Sequence, residues 1–435
     1  MNVFLSVSVA LFAGLMFTRI FKAAGLNFPD VTAFLISGLL IGPYGLGRIG
    51  IEGLGFVSYE SIESVELINT AALGFIAFSI GSEFRLSELK HTGKAAVVIG
   101  IFQAVAASII VALSMVGLHF LLGDGILSLE SAIVLGAIAS ATAPAATLMV
   151  VRQYKADGPL TRLLLPIVAL DDAVGLVIFS VCFGIAQAIQ GGNLDLYSVV
   201  VNPILEIIFS IALGALMGYI MTQLEKLFYS NTNRLSMTIT FVLMTIALSY
   251  LKIPVGRATI SFSSLLVCMM LGTVFCNASE FSGDIMARAE KWTAPLNATF
   301  FVLSGAALEL GVFAHFEYIL VGVIYILMRS FGKYMGAGVS STAMGCDENV
   351  RKYLGFTLLP QAGVALGMCN QAMALGEADG SIIRNVTLFG VLIYELFGPL
   401  ITKHALEKAG EITVKPAEKQ SRDRFQSGKG RIGQR

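Results

Sequence analysis

The sequence predicts an all-α polytopic membrane protein of about thirteen transmembrane helices, arranged as two inverted repeats. Three observations carry that prediction. The 435 residues are 56% hydrophobic and 13% charged, against about 25% charged in a soluble domain, and the mean hydropathy is +0.79. Apolar runs long enough for a hydrocarbon core of about 30 Å recur along nearly the whole chain. Lys and Arg also alternate between successive loops, as they do where cytoplasmic loops collect positive charge.

In chain order the runs fall at about 2–20, 31–47, 64–83, 95–122, 131–151, 160–189, 197–222, 236–251, 258–276, 293–312, 317–340, 353–375 and 382–402, those around segments 8 and 9 having the weakest boundaries. Fourteen Lys and Arg follow the odd-numbered segments from the first to the eleventh, whereas Arg48, Lys252, Arg257 and Arg384 occupy the opposite loops. This asymmetry predicts an external N-terminus and a cytoplasmic C-terminus. Residues 1–21 lack a basic leader and a small-residue cleavage site, so the first segment reads as an uncleaved helix. Residues 404–435 read as a polar, disordered cytoplasmic tail, too short for a nucleotide-binding regulatory domain.

Thirteen segments divide as six, one linker and six, and an odd linker inverts the second half. Transporters built this way place their site near the midplane, at helices interrupted by Gly or Pro. Segment 5 contains Ser140-Ala-Thr-Ala-Pro144, and segment 12, its equivalent, contains Leu358-Leu-Pro-Gln-Ala-Gly363. Each proline removes one backbone donor and leaves carbonyls free, which makes them ready ligands for a small cation. Flanking segment 6 together, the two stretches predict a crossed pair of discontinuous helices.

Segment 6 carries Asp171 and Asp172 in mid-membrane. A carboxylate there costs about 2.5 to 3.5 kcal/mol on insertion scales, and adjacent carboxylates repel. They point about 100° apart on a helix, so their environments and roles can differ. An intramembrane acid is by default a carrier of a cation or a proton. Lys333, inside segment 11, is the counter-ion and a second candidate for proton exchange. Arg329, one turn earlier, keeps its proton and suits a fixed structural role. Glu395, in the segment equivalent to the aspartate helix, is the candidate partner for Arg329.

Other features point away from enzymes. The five cysteines lack paired spacing for disulfides or zinc, and the four histidines lie near segment ends. No phosphate loop, nucleophile elbow or nucleic-acid surface is present in the pattern. No resident cofactor is expected. Glu83 and Arg85 read as interfacial, His315 beside Glu317 as a solvated pair, and the glycines of 42–55 and 332–338 as a turn and a close helix contact.

The order of motifs resembles the monovalent cation/proton antiporter superfamily, in its bacterial sodium/proton and Kef-type branch. The resemblance rests on Gly38-Leu-Leu-Ile-Gly-Pro-Tyr-Gly-Leu46, Ile80-Gly-Ser-Glu-Phe-Arg-Leu86, Thr142-Ala-Pro144, Leu170-Asp-Asp172, Phe300-Phe-Val-Leu-Ser-Gly305, Gly332-Lys333 with Gly336, and Leu359-Pro-Gln-Ala-Gly-Val-Ala-Leu366. It implies that Asp172 binds the ion, that Asp171 pairs with Lys333, and that polar groups of Ser140, Thr142 and Gln361 complete the site. Asp172, Asp171 and Thr142 are then the ligands of a monovalent cation.

The resemblance further implies the sodium/proton antiporter fold and a homodimer in the bacterial inner membrane, serving pH homeostasis and sodium tolerance. A core domain (94–190 and 315–403) would slide against a dimer domain (1–93 and 226–314), with 191–225 as the linker. The expected activity is exchange of Na⁺ or Li⁺ for H⁺ by alternating access, electrogenic if Lys333 takes part. K⁺/H⁺ or broader exchange is the alternative within transport; a channel or a non-transporting sensor on the same scaffold is the reading from another class. The sequence departs from the family at Ala143-Pro-Ala-Ala, which offers fewer hydroxyls than a Ser-Pro-Ala-Thr stretch, and at segment 9, Ser261 to Cys276.

Overall fold

Every expected segment contains a helix, and two of them contain a pair. The computed structural model describes residues 3–25, 28–51, 54–82, 86–123, 125–190, 201–251, 253–255, 258–308 and 316–412. The first half comprises α1 (Val3–Ala23), α2 (Asp30–Ile41), the single turn α3 (Tyr59–Glu63), α4 (Glu66–Ser82), α5 (Leu86–Leu122), α6 (Leu129–Ile138), α7 (Pro144–Tyr154) and α8 (Pro159–Ile189). Then follow α9 (Asn202–Glu225), α10 (Asn231–Ser249), the strands β1 (Ile253–Val255) and β2 (Ala258–Ile260), α11 (Ser264–Ala278) and α12 (Ser282–Ala306). The chain closes with α13 (Phe316–Ala343), α14 (Glu348–Thr357), α15 (Gly363–Ala372) and α16 (Glu377–Lys408). Among the described residues seven helices are by themselves long and apolar enough to cross a bilayer, so the chain is a multi-pass membrane protein. The pairs α6/α7 and α14/α15 are half-length because each makes one broken crossing, as the positions of Pro144 and Pro360 predicted.

Three of the boundaries that differ from expectation bear on the fold. Segment 9 does not begin as a helix at 258: β1 and β2 form an antiparallel hairpin with Ile253 opposite Ile260. Pro254 and the β-branched residues around it favour extended backbone, and α11 starts only after Ser263, whose hydroxyl accepts from the Leu266 amide. Segment 10 begins eleven residues early, since α12 opens at Ser282 rather than 293. The polar tail does not begin at 404, because α16 continues to Lys408 and buries Ala405, Leu406, Ala409 and Ile412. Residues 413–435, with Glu83, Arg85 and His315, lie outside the described residues.

Helices approach closely where glycines meet. A Cβ on Gly332 would stand 2.7 Å from Ala107 Cα, and one on Gly336 would stand 2.8 Å from Gln103 Cα. These contacts seat α13 against α5, and they set Lys333 beside Gln103. α5 also packs on α6 and α8, and α16 lies on α13, α14 and α15. In the remaining helices α11 packs on α4 and α9, and α12 on α1, α2 and α4. An apolar seam containing Phe34, Leu35, Ala145, Leu148, Ala169 and Val302 runs between the two sets of helices.

Candidate functional site

The two chain breaks cross. α6 ends at Ile138 and α14 at Thr357, and between each and its second half the backbone leaves the helix, with Ala143 extended just before α7. The Ala143 amide donates to the Pro360 carbonyl at 2.8 Å, so the interruptions touch at one point. The ends of α6 and α14 therefore present carbonyls with no helical partner, where the helix dipole concentrates negative charge.

Arg329 on α13 fills that position. With no exposed surface, it donates from Nε to Ala139 O (3.1 Å), from Nη2 to Ala141 O (2.6 Å) and from Nη1 to Leu359 O (2.7 Å). The Tyr394 ring lies 4.5 Å from its guanidinium carbon. Gln361 adds a bond from Nε2 to Ile138 O at 3.0 Å and another to Tyr325 Oη at 2.9 Å. The carbonyls freed by the breaks are thus held by the protein's own donors. The partner expected for Arg329, Glu395, is not the one found. The guanidinium fork is satisfied by three carbonyls from the two interruptions, while Glu395 is buried with its Oε2 unpartnered among the described residues.

One turn on from Arg329, Lys333 meets Asp171. The ammonium lies 3.0 Å from Asp171 Oδ2, and neither side chain has exposed surface. It also donates to Ser140 O (2.6 Å) and Thr142 Oγ1 (2.8 Å). The Thr142 hydroxyl in turn donates a hydrogen bond to Asp171 Oδ2 at 2.5 Å. Gln103 Nε2 donates to Asp171 Oδ1 and to Gly100 O. Four elements therefore meet at one carboxylate: α8 supplies it, the first break supplies Thr142, and α13 and α5 supply Lys333 and Gln103.

Asp172 follows in α8, but its side chain lies outside the described residues. Ala169, one turn earlier, lines a cavity of about 10 Å³ with Pro144, Ala77, Ile80, Leu265, Leu266 and Met269, in the seam between the two sets of helices. Ser140 contributes through its carbonyl rather than its hydroxyl, which bonds back to Ala137 O at 2.6 Å. Gln361 ties the crossing together and makes its bonds away from Asp171. Gln103 was not anticipated. Its signal is a buried amide inside the otherwise apolar run Ala95–Ala107.

A buried carboxylate facing a buried amine is stable only while paired and hydrogen-bonded. The oxygen donors around it, from carboxylate, hydroxyl and carbonyl, suit hard cations. The transmembrane sodium/hydrogen exchanger family matches residues 7–408. The chain belongs to that family.

Two curated relatives cover most of this exchanger. A K⁺/H⁺ antiporter subunit, KhtU, of Bacillus subtilis is 22% identical over 380 residues, spanning 87% of this chain and 88% of its own length. A Na⁺/H⁺ antiporter, NhaS4, of a Synechocystis strain is 23% identical over 414 residues, spanning 92% and 96%. The fold matches structures of the sodium proton antiporter MjNhaP1 of Methanocaldococcus jannaschii. At pH 8 the TM-score is 0.66 with 17% identity, covering 92% of this exchanger and 97% of the other chain. Against an electron-microscopy map the values are 0.70, 18%, 94% and 98%. The helical architecture with two crossed broken helices is accordingly the sodium/proton antiporter fold.

Proposed function

We propose that the chain is a secondary active antiporter that exchanges Na⁺ for H⁺ by alternating access. The observation that carries this reading is the fully buried Asp171–Lys333 pair at the crossing of two broken helices. The pair is self-neutralised, so the site is closed to charge until something displaces a partner. A cation arriving at Asp171, Asp172 and Thr142 competes with the Lys333 ammonium and with protons for the same oxygens. Competition for one site couples the two fluxes. If Lys333 releases its proton as the cation binds, more than one proton returns per cation. Each net charge moved then gains about 2.3 kcal/mol per 100 mV.

In this reading α5–α8 with α13–α16 form the moving core, α1–α4 with α10–α12 form the dimerising partner, and α9 links them. The protein sits in the bacterial inner membrane as a homodimer, with its N-terminus outside and C-terminus in the cytoplasm. Exchange of K⁺ for H⁺ is the second reading, favoured by the name of the Bacillus relative.

The test is dequenching of a trapped pH dye in proteoliposomes on adding NaCl or KCl, comparing wild type with Asp172→Asn. Sodium-driven proton movement abolished by the substitution is the expected result. A potassium-only response selects the second reading, and no response to either ion between pH 6 and 9 overturns both.

A further inference from the structure

α8, the helix of Asp171 and Asp172, begins badly capped. Its N-cap residue is Gly158, which has no side chain to offer, and Pro159 occupies the first helical position. The cap comes from the far end of the chain. Glu411, just past α16, accepts from the Leu160 amide at Oε1 (2.6 Å) and, at Oε2, from the Thr161 amide (2.8 Å) and hydroxyl (2.6 Å). Its carbonyl accepts from the Asp157 amide at 3.3 Å.

The turn that aims this carboxylate is specific. Gly410, at φ +78, ends α16 in a Schellman motif: its amide bonds to Glu407 O at 3.1 Å, and the Glu411 amide bonds to Leu406 O at 3.0 Å. Gly158 is the matching concession on the other side, because a Cβ there would stand 2.4 Å from Glu411 Cδ. A carboxylate holding two amides at a helix N-terminus also meets the positive end of the dipole.

The opposite end of α8 is fastened to the opposite end of α16. Gln190, the C-cap of α8, donates from Nε2 to Asp379 Oδ2 (2.9 Å) and to Leu375 O (3.0 Å). Asp379, in the first turn of α16, also accepts from Ser128 (2.5 Å) and Ser131 (3.0 Å) at the start of α6. The two fastenings are about 46 Å apart along a helix of this length. Within α8, Pro166 removes one backbone donor, so the turns before it are joined to the aspartates by one bond fewer.

We infer that Glu411 and Asp379 are positioning residues of the ion site: they strap both ends of the aspartate helix to α16, so that α8 and α16 travel as one body. The strap keeps Asp171 in register with Thr142 and Lys333 while the core moves. This inference rests on the exchange reading above, and its test separates the two.

Amide hydrogen exchange of residues 159–172 and cation-dependent proton flux are measured on the same preparations of wild type, Glu411→Ala, Glu411→Asp and Asp379→Asn. Glu411→Ala is expected to speed amide exchange before Pro166 and to raise the apparent KM for the cation about five- to tenfold, the scale of a lost cap. Its kcat stays within about twofold of wild type, and Glu411→Asp recovers most of the KM. Asp379→Asn gives a smaller rise in KM, because an Asn oxygen can still accept from Gln190 or from the serines. Unchanged amide exchange in Glu411→Ala, or faster amide exchange with a wild-type KM, overturns the inference. Should Glu411→Ala not fold, Glu411→Gln, which keeps size and one acceptor, is judged by the same criteria. Wild type without proton flux overturns the exchange reading, whereas amide exchange in α8 still decides whether the strap exists.

Discussion

Arg329 and Lys333 lie one turn apart on α13 with no exposed surface, yet Arg329 faces carbonyl dipoles and Lys333 faces a carboxylate. The guanidinium is always charged and presents a rigid fork, and its partners, Ala139, Ala141 and Leu359, are permanent acceptors. Nothing in that environment can change charge. Around Lys333 the side-chain partners can change, although the Ser140 carbonyl is fixed: the ammonium can lose a proton, Asp171 can gain one, and Thr142 can donate or accept. The same helix thus carries a fixed cation that holds two broken helices together and a switchable one that guards the site. The division follows from chemistry that Lys and Arg do not share.

The largest effect is expected from breaking the fixed side. Arg329→Ala leaves three buried carbonyls without this donor at the crossing, and each buried acceptor left unsatisfied costs about 1–3 kcal/mol. The detergent-solubilised variant should lose its cooperative thermal transition. A variant that melts like wild type would show that the crossing holds without the guanidinium.

Lys333→Gln sharpens the comparison from the other side. It keeps a donor near Asp171 but removes the switchable charge, so the protein should remain folded while transport loses its dependence on voltage. Clamping proteoliposomes at an imposed 100 mV should accelerate wild type, since each coupled charge carries about 2.3 kcal/mol, and leave the variant's rate unchanged. Acceleration of both would place the second proton elsewhere.

Thr142→Val removes the hydroxyl that donates to Asp171 and accepts from Lys333. A lost buried hydrogen bond is worth about 1–1.5 kcal/mol, so the apparent KM for the cation should rise about tenfold in dye-quenching titrations with little loss of thermal stability. Gln103→Leu is the mildest change: it removes one neutral donor from Asp171 Oδ1, and KM should move by about threefold. A larger effect than that of Thr142→Val would mean that the amide, rather than the hydroxyl, sets the geometry of the carboxylate.

The helices themselves were open to reading because each reports on its own residues. Apolar length marks a crossing, and proline marks an interruption. Pro144 and Pro360 announced the two breaks, and the aspartates of segment 6 with Lys333 announced a buried pair, since opposite charges in apolar segments have few stable alternatives to meeting; that Asp171 is the partner came from the family resemblance. Segment 9 misled at its start because Ala258–Ile260 extends the apolar run of α11, although these residues pair with Ile253–Val255 as strands.

What the sequence by itself determined is therefore the set of crossings, the two interruptions and the charged residues that must find partners. Which partners they find was decided by tertiary structure. Arg329 is satisfied by backbone carbonyls, which every residue carries and no sequence pattern distinguishes, so Glu395 looked the better match. Gln103 reaches Asp171 because α5 packs on α8, with Gly100 against Ile167 and Leu170. Glu411 caps a helix that begins about 250 residues earlier, through a turn beyond the expected end of the last segment. Local patterns record what a residue prefers; only the crossing of distant helices determines what it touches.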